Sequence, residues 1–121
     1  MAVTSLTLTS LATSLFQDTI LANAAVVVKA SGGTLYAIHI DNSANASAVY
    51  LKLWDSAGAV VVGTTAPDFI IKVPASFDGP VLLAVEGITF ASGLQAACVT
   101  EAGTAGTTSP GAAVVARIAF T

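Results

Sequence analysis

Residues 33–55 read GTLYAIHIDNSANASAVYLKLWD, two runs of alternating side chains separated by a polar segment. Successive side chains of a β-strand point to opposite faces, so the alternation predicts one strand over residues 34–42 and another over residues 47–55. In the second run Leu51 and Leu53 share a face. The Asn- and Ser-rich segment between the runs is typical of a turn, and we expect the two strands to form a hairpin.

The alternation also assigns side chains to the two faces of each predicted strand. In the first strand one face carries Tyr36, Ile38 and Ile40, and the other carries Leu35, Ala37, His39 and Asp41. In the second strand the face opposite the leucines carries Tyr50, Lys52 and Trp54. One face of each strand is therefore apolar enough to form part of a core.

The rest of the chain repeats this pattern of short runs rich in Val, Ile and Thr, bounded by Gly, Pro, Asn and Ser. About eight strands result, with no helical periodicity, which predicts an all-β, antiparallel two-sheet β-sandwich of jelly-roll type. A small closed barrel is the second choice. Residues 23–121 are predicted to form the sandwich. Residues 1–22 are predicted to be an extended N-terminal arm, within which residues 12–22 fit either a short helical turn or an extended crossover.

The composition indicates a protein that assembles. Charged residues make up 9% of the chain, against about 25% in an ordinary globular domain, while 55% of the residues are hydrophobic. A 121-residue domain with so few charges leaves apolar surface exposed to water as a monomer. We therefore expect that surface to be buried against another protein molecule. Four cations against seven anions exclude a basic nucleic-acid-binding protein.

We expect no enzyme, no cofactor and no metal site. Hydrolytic catalysis by a Ser–His–Asp arrangement would have to use His39, the only histidine, and Asp41 on the same face is too far away for a direct hydrogen bond. One cysteine, Cys98, and one histidine cannot build a zinc site, and Cys98 is expected to be buried as a small apolar residue. The sequence contains no run of 18 apolar residues, so no membrane-spanning helix is predicted.

The aromatic face of the second strand has two interpretations. Tyr50 and Trp54, with Lys52 between them, form either a carbohydrate-stacking platform or an aromatic anchor in a core or subunit interface. The anchor is favoured, because Trp and Tyr are enriched in such contacts. The residues predicted to lie in an assembly interface are Leu6, Leu8, Leu15, Phe16, Tyr50 and Trp54.

Four segments carry a resemblance to a known class of proteins. Residues 31–42 hold a Gly-Thr-Leu-Tyr strand ending in Asn, and residues 50–55 hold a Leu-Lys-Leu-aromatic-Asp strand. Residues 69–74 form a strand closed by Pro, and residues 87–94 read Gly-Ile-Thr-Phe-Ala-Ser-Gly-Leu. A Thr/Gly/Ala-rich loop then precedes the last strand. In this succession of motifs the chain resembles small structural proteins of tailed-phage virions, of the capsid decoration (cement) type.

The resemblance covers about residues 25–121 and implies a non-enzymatic β-sandwich on the outer surface of a virion. It implies two partners, other copies of the chain in a homo-oligomer, favoured as a trimer, and the major capsid protein. It transfers no catalytic residue. Two alternatives stay open: a tail, neck or baseplate component, and a receptor- or glycan-binding module that uses Tyr50, Lys52 and Trp54.

Overall fold

A computed structural model of the chain describes residues 12–121. Within this range the structure contains eight β-strands and no helix. The strands are β1 (Ser14–Asp18), β2 (Val26–Lys29), β3 (Gly33–Asp41), β4 (Val49–Asp55), β5 (Phe69–Val73), β6 (Asp78–Phe90), β7 (Leu94–Val99) and β8 (Val115–Phe120). The all-β prediction is therefore confirmed.

The strands form two four-stranded sheets, which we call sheet I and sheet II. Sheet I has the order β1-β8-β3-β6, and sheet II has the order β2-β7-β4-β5. Every neighbouring pair is antiparallel. Each sheet ends in two edge strands, so the structure is not a closed barrel, the second choice from the sequence.

One apolar core lies between the sheets. Sheet I contributes Leu35, Ile38, Ile40, Ala116, Ile118 and Phe120, and sheet II contributes Val49, Leu51, Leu53, Val73, Ala96 and Cys98. Most of these side chains follow the period of two that the sequence shows, because alternate residues of a strand face the same side. Burial of Cys98 agrees with its predicted role as a small apolar residue.

The predicted hairpin of the third and fourth strands is wrong. β3 pairs with β6 and β8, whereas β4 pairs with β5 and β7 in the other sheet. The polar segment between them is a corner, closed by the buried side chain of Asn42, which donates to the carbonyls of Ser47 at 3.2 Å and Pro74 at 2.9 Å. Two strands that face each other across a core have the same alternation as two paired strands, so the pattern does not distinguish these arrangements.

The face assigned to Leu35 is also wrong. Leu35 is buried with Ile38 and Ile40, although it is three residues from Ile38. The register shifts at Tyr36 against both neighbouring strands, and such a β-bulge exchanges the faces that follow it. In β6 the partner of Leu35 is Ile88 and the partner of Ala37 is Leu83, so residues 84–87 bulge out of the edge strand.

The predicted arm of residues 1–22 is divided in the structure. Residues 1–11 lie outside the described residues. Strand β1 pairs with β8 along its full length, and Leu21 lies in the core. Residues 14–18 are thus an edge strand of sheet I, and their extended conformation fits the crossover alternative rather than the helical turn.

Candidate assembly surface

The central strands of sheet II, β4 and β7, are covered on their outer face by the chain itself. Trp54 is 1% exposed, and its indole N–H donates to the carbonyl of Thr65 at 3.0 Å. On the neighbouring strand the side-chain amide of Gln95 donates to the carbonyls of Ser56 at 3.0 Å and Gly58 at 2.7 Å. The loop over residues 56–68 therefore lies on this face and supplies backbone acceptors to buried donors.

A second loop covers the neighbouring part of the same face. The ammonium group of Lys52 is fully buried and donates to the carbonyls of Gly103 at 2.5 Å and Gly106 at 3.3 Å. Glu101 shapes this loop, because its carboxylate accepts hydrogen bonds from the hydroxyl and N–H of Thr108. These hydrogen bonds hold the pKa of Glu101 below its usual value.

The outer face of sheet I differs in degree, because its apolar side chains are more exposed than Val27 and Ile70, which lie on the edge strands of sheet II and are 54% and 41% exposed. Leu15 of β1 is 65% exposed and Leu83 of β6 is 72% exposed. Val85, in the bulge of the same edge strand, is 83% exposed. Single exposed apolar side chains are ordinary, but Leu15 and Leu83 line one concave surface, which makes it a candidate contact site.

The register of the four strands explains the concave shape. Leu15 pairs with Ala119, Ala119 with Ala37, and Ala37 with Leu83, so these residues form one row across the sheet. Two alanines in the middle and a leucine at each end leave a depression of about 460 Å³. We call this depression the outer groove. It is open and apolar, and no described loop lies across it as the two loops do on sheet II.

A polar row borders the outer groove on one side. Arg117 is paired in register with Gln17 and His39, and its Nε donates to the side-chain oxygen of Gln17 at 3.1 Å. The imidazole Nε2 of His39 lies 3.4 Å from a carboxylate oxygen of Asp78. These contacts fix the arginine and histidine side chains at the border of the groove.

Asp41 does not partner His39. Its carboxylate accepts hydrogen bonds from the hydroxyl and N–H of Ser43, which hold its pKa below the usual value, with a smaller effect from Arg117. The partner of His39 is Asp78, which belongs to another strand and has no signal in the sequence. Asp41 therefore does not form an acid–histidine pair with His39.

The carboxylate of Asp55 also serves the fold. Asp55, at the end of β4, accepts the backbone N–H groups of Ala91, Ser92 and Gly93 at 2.9, 2.8 and 3.3 Å. The donors hold the pKa of Asp55 below its usual value. Across residues 12–121 no three His, Cys, Asp or Glu side chains lie close enough together to hold a metal ion.

The structure separates the six predicted interface residues. Leu15 lies at the outer groove, and Phe16, the next residue, packs against the core from β1. Trp54 is buried within the chain and Tyr50 is half-buried, so the covered face leaves no exposed indole for a sugar to stack on. Leu6 and Leu8 lie outside the described residues. Sequence reasoning missed Leu83, Ala37 and Ala119, which form the groove only once the strands are paired.

No protein-family model matches the chain, and no curated protein and no solved structure is significantly similar to it. In the part of the chain that the structure describes, no helix is long and apolar enough to cross a membrane.

Proposed function

We propose that the chain is a non-enzymatic structural protein of a bacteriophage virion, of the capsid decoration type, and that it acts by burying apolar surface. The observation that carries this proposal is the contrast between the two outer faces. Loops of the chain cover the central strands of one face and leave Val27 and Ile70 exposed on its edge strands, whereas the other face presents Leu15 and Leu83 around the outer groove. A chain with 9% charged residues gains from burying such a face in an assembly.

We also propose that the sandwich is a jelly roll. The strand orders β1-β8-β3-β6 and β2-β7-β4-β5 support this, because most consecutive strands cross from one sheet to the other. Eight antiparallel strands in two four-stranded sheets are the architecture of jelly rolls, which occur in viral capsid domains and also in lectins and cupins. The N- and C-terminal strands, β1 and β8, then lie side by side in sheet I.

In this role the chain forms a trimer with other copies of itself, and the trimer binds the major capsid protein at the outer surface of the shell. The phage origin rests on the four resembling segments of the sequence, and the assembly role rests on the exposed face. The alternative of a glycan-binding module loses its main support, because the indole ring of Trp54 is covered.

The test compares purified phage particles that contain the protein with particles that lack it. We expect many copies per shell, and release of the packaged DNA at a lower temperature from particles without the protein. Complementation with Leu83→Asp should fail to restore the shell, while Val27→Asp, at a 54% exposed position on sheet II, should restore it. Equal heat resistance with and without the protein would contradict the decoration role, and a few copies at a ring position would favour the tail or neck.

A further inference from the structure

We propose that the outer groove receives residues 1–11 of a neighbouring copy of the chain. The proposal rests on the assembly role above and names the partner segment and its site. It follows from the shape of the groove, the chemistry of the segment and the position at which the segment joins sheet I.

The groove fits extended, apolar and uncharged chain. Its floor is formed by Ala37 and Ala119, and its walls are formed by Leu15 and Leu83. An inserted leucine side chain would fill the space above the two alanines, as a knob fills a hole, and remove both walls from water. Arg117 and His39 also line the groove at its polar border, so a positively charged side chain placed there would lose its hydration without an opposite charge among the lining residues.

Residues 1–11 read MAVTSLTLTSL and have the required character. They contain no charged side chain, and Leu6 and Leu8 are two residues apart, so an extended segment presents both to the same side. Loops of the chain already cover the central strands of the other outer face, where Val27 and Ile70 stay exposed on the edge strands, so the outer groove is the more open apolar site for such a segment.

The junction with sheet I favours a neighbouring copy over the same copy. The N–H of Thr13 bonds to the carbonyl of Phe120 at 3.1 Å, next to the row that contains Leu15. To lie in its own groove the segment must reverse just before Thr13, and residues 1–13 contain no Gly, Pro, Asn or Asp, so that turn would rest on Ser10, a weaker turn former. Eleven extended residues span about 36 Å, more than twice the roughly 14 Å width of four strands.

The test uses disulfide formation between single-cysteine variants of the full chain. Leu8→Cys protein is mixed with Leu83→Cys protein, and heterodimers are counted after mild oxidation. The native Cys98 is fully buried, so it does not compete. The matched control mixes Leu8→Cys with Val27→Cys, which is exposed on sheet II. We expect at least about tenfold more heterodimer with Leu83→Cys, because a docked pair has a far higher effective concentration than a free one.

Three outcomes would overturn the proposal. Equal yields with Leu83→Cys and Val27→Cys mean that the segment does not dock in the groove. A double variant, Leu8→Cys with Leu83→Cys, that closes within one chain while the mixed single variants do not pair means that each copy fills its own groove. Efficient pairing of Leu83→Cys with itself means that two copies of sheet I pack directly against each other.

A second variant separates docking from folding and from the virion role. Ala119→Leu fills the groove floor and leaves both walls and the segment intact. We expect it to remain folded by circular dichroism and to lose the heterodimer with Leu8→Cys. An undiminished yield would contradict docking at this site. These measurements need no phage particles, so a failed cross-link leaves the particle test standing, and a protein absent from particles leaves the cross-link standing.

Discussion

Truncating the one tryptophan tests whether the outer face of sheet II is covered by the chain itself. The Trp54→Ala substitution removes a fully buried indole ring that fixes the loop over residues 56–68 through its bond to Thr65. Buried tryptophan-to-alanine changes cost about 3–5 kcal/mol of unfolding free energy. With a urea slope of about 1.5 kcal/mol/M, the midpoint of unfolding should fall by about 2–3 M.

The assay is urea unfolding followed by far-UV circular dichroism, because Trp54 is the only tryptophan and the variant loses its fluorescence signal. Trp54→Phe keeps most of the apolar contact but leaves the Thr65 carbonyl unpaired, so a smaller cost of about 1–3 kcal/mol is expected. Val61→Ala is the matched control, since Val61 lies in the same loop and is 57% exposed, and its cost should stay within about 0.5 kcal/mol. A loss below about 1 kcal/mol for Trp54→Ala would refute the covering loop.

Three further predictions concern polar and buried groups of the fold. The pKa of Asp55 lies below its ordinary value of 3.8, so the ionised carboxylate stabilises the folded protein above that pH, and this contribution is lost as the pH falls through the folded pKa. In urea titrations the unfolding free energy of Asp55→Asn should therefore fall less than that of the parent protein between about pH 5 and pH 2. Asn45 bonds to the N–H and carbonyl of Ala112 at 2.8 and 3.1 Å, and Asn45→Ala should cost about 1–3 kcal/mol and lower the calorimetric Tm. Burial raises the pKa of the Cys98 thiol to about 12, so a thiol reagent at neutral pH should label it only after denaturation.

Each of these predictions has a clear contrary result. Identical pH profiles of the parent and Asp55→Asn proteins would mean that the three N–H donors do not hold the ionised carboxylate. An unchanged Tm for Asn45→Ala would mean that the corner does not need its side chain. Labelling of Cys98 in the native protein as fast as in denaturant would mean that sheet II opens readily.

The strands themselves were readable from the sequence because half-buried strands repeat with a period of two. The pattern of residues 33–55 predicts both strands to within a few residues, and it groups Ile38 with Ile40 and Leu51 with Leu53 on faces that the structure buries in the core. It misplaced Leu35, because the bulge at Tyr36 breaks the period and leaves no local signal.

The covering of sheet II could not be read in the same way. Lys52 and Trp54 alternate with the core leucines, which is also the pattern of a strand with one solvated face. What buries them is backbone: carbonyls of Thr65, Gly103 and Gly106 in loops rich in Gly, Ala and Thr. Backbone acceptors occur in every residue, so composition does not show which loop provides them.

The outer groove needs long-range information for a similar reason. Its walls and floor come from β1, β3, β6 and β8, and Leu15 is more than 100 positions from Ala119. The sequence alone predicts Leu15 as an interface residue. Ala37 and Ala119 become candidates only when the strand register is known, because the register places them between Leu15 and Leu83. Strand order and register are the features of a β-sheet that are hardest to predict from a single sequence.

The most direct measurement is the solution mass of the full chain and of Leu83→Asp by light scattering. If sheet I presents the assembly surface, the full chain has the mass of a trimer, about 36 kDa from three copies of 12.0 kDa, and Leu83→Asp has the mass of a folded monomer. A full chain that stays at 12.0 kDa over a range of concentrations, or a variant that remains a trimer, would contradict the assembly role of this face.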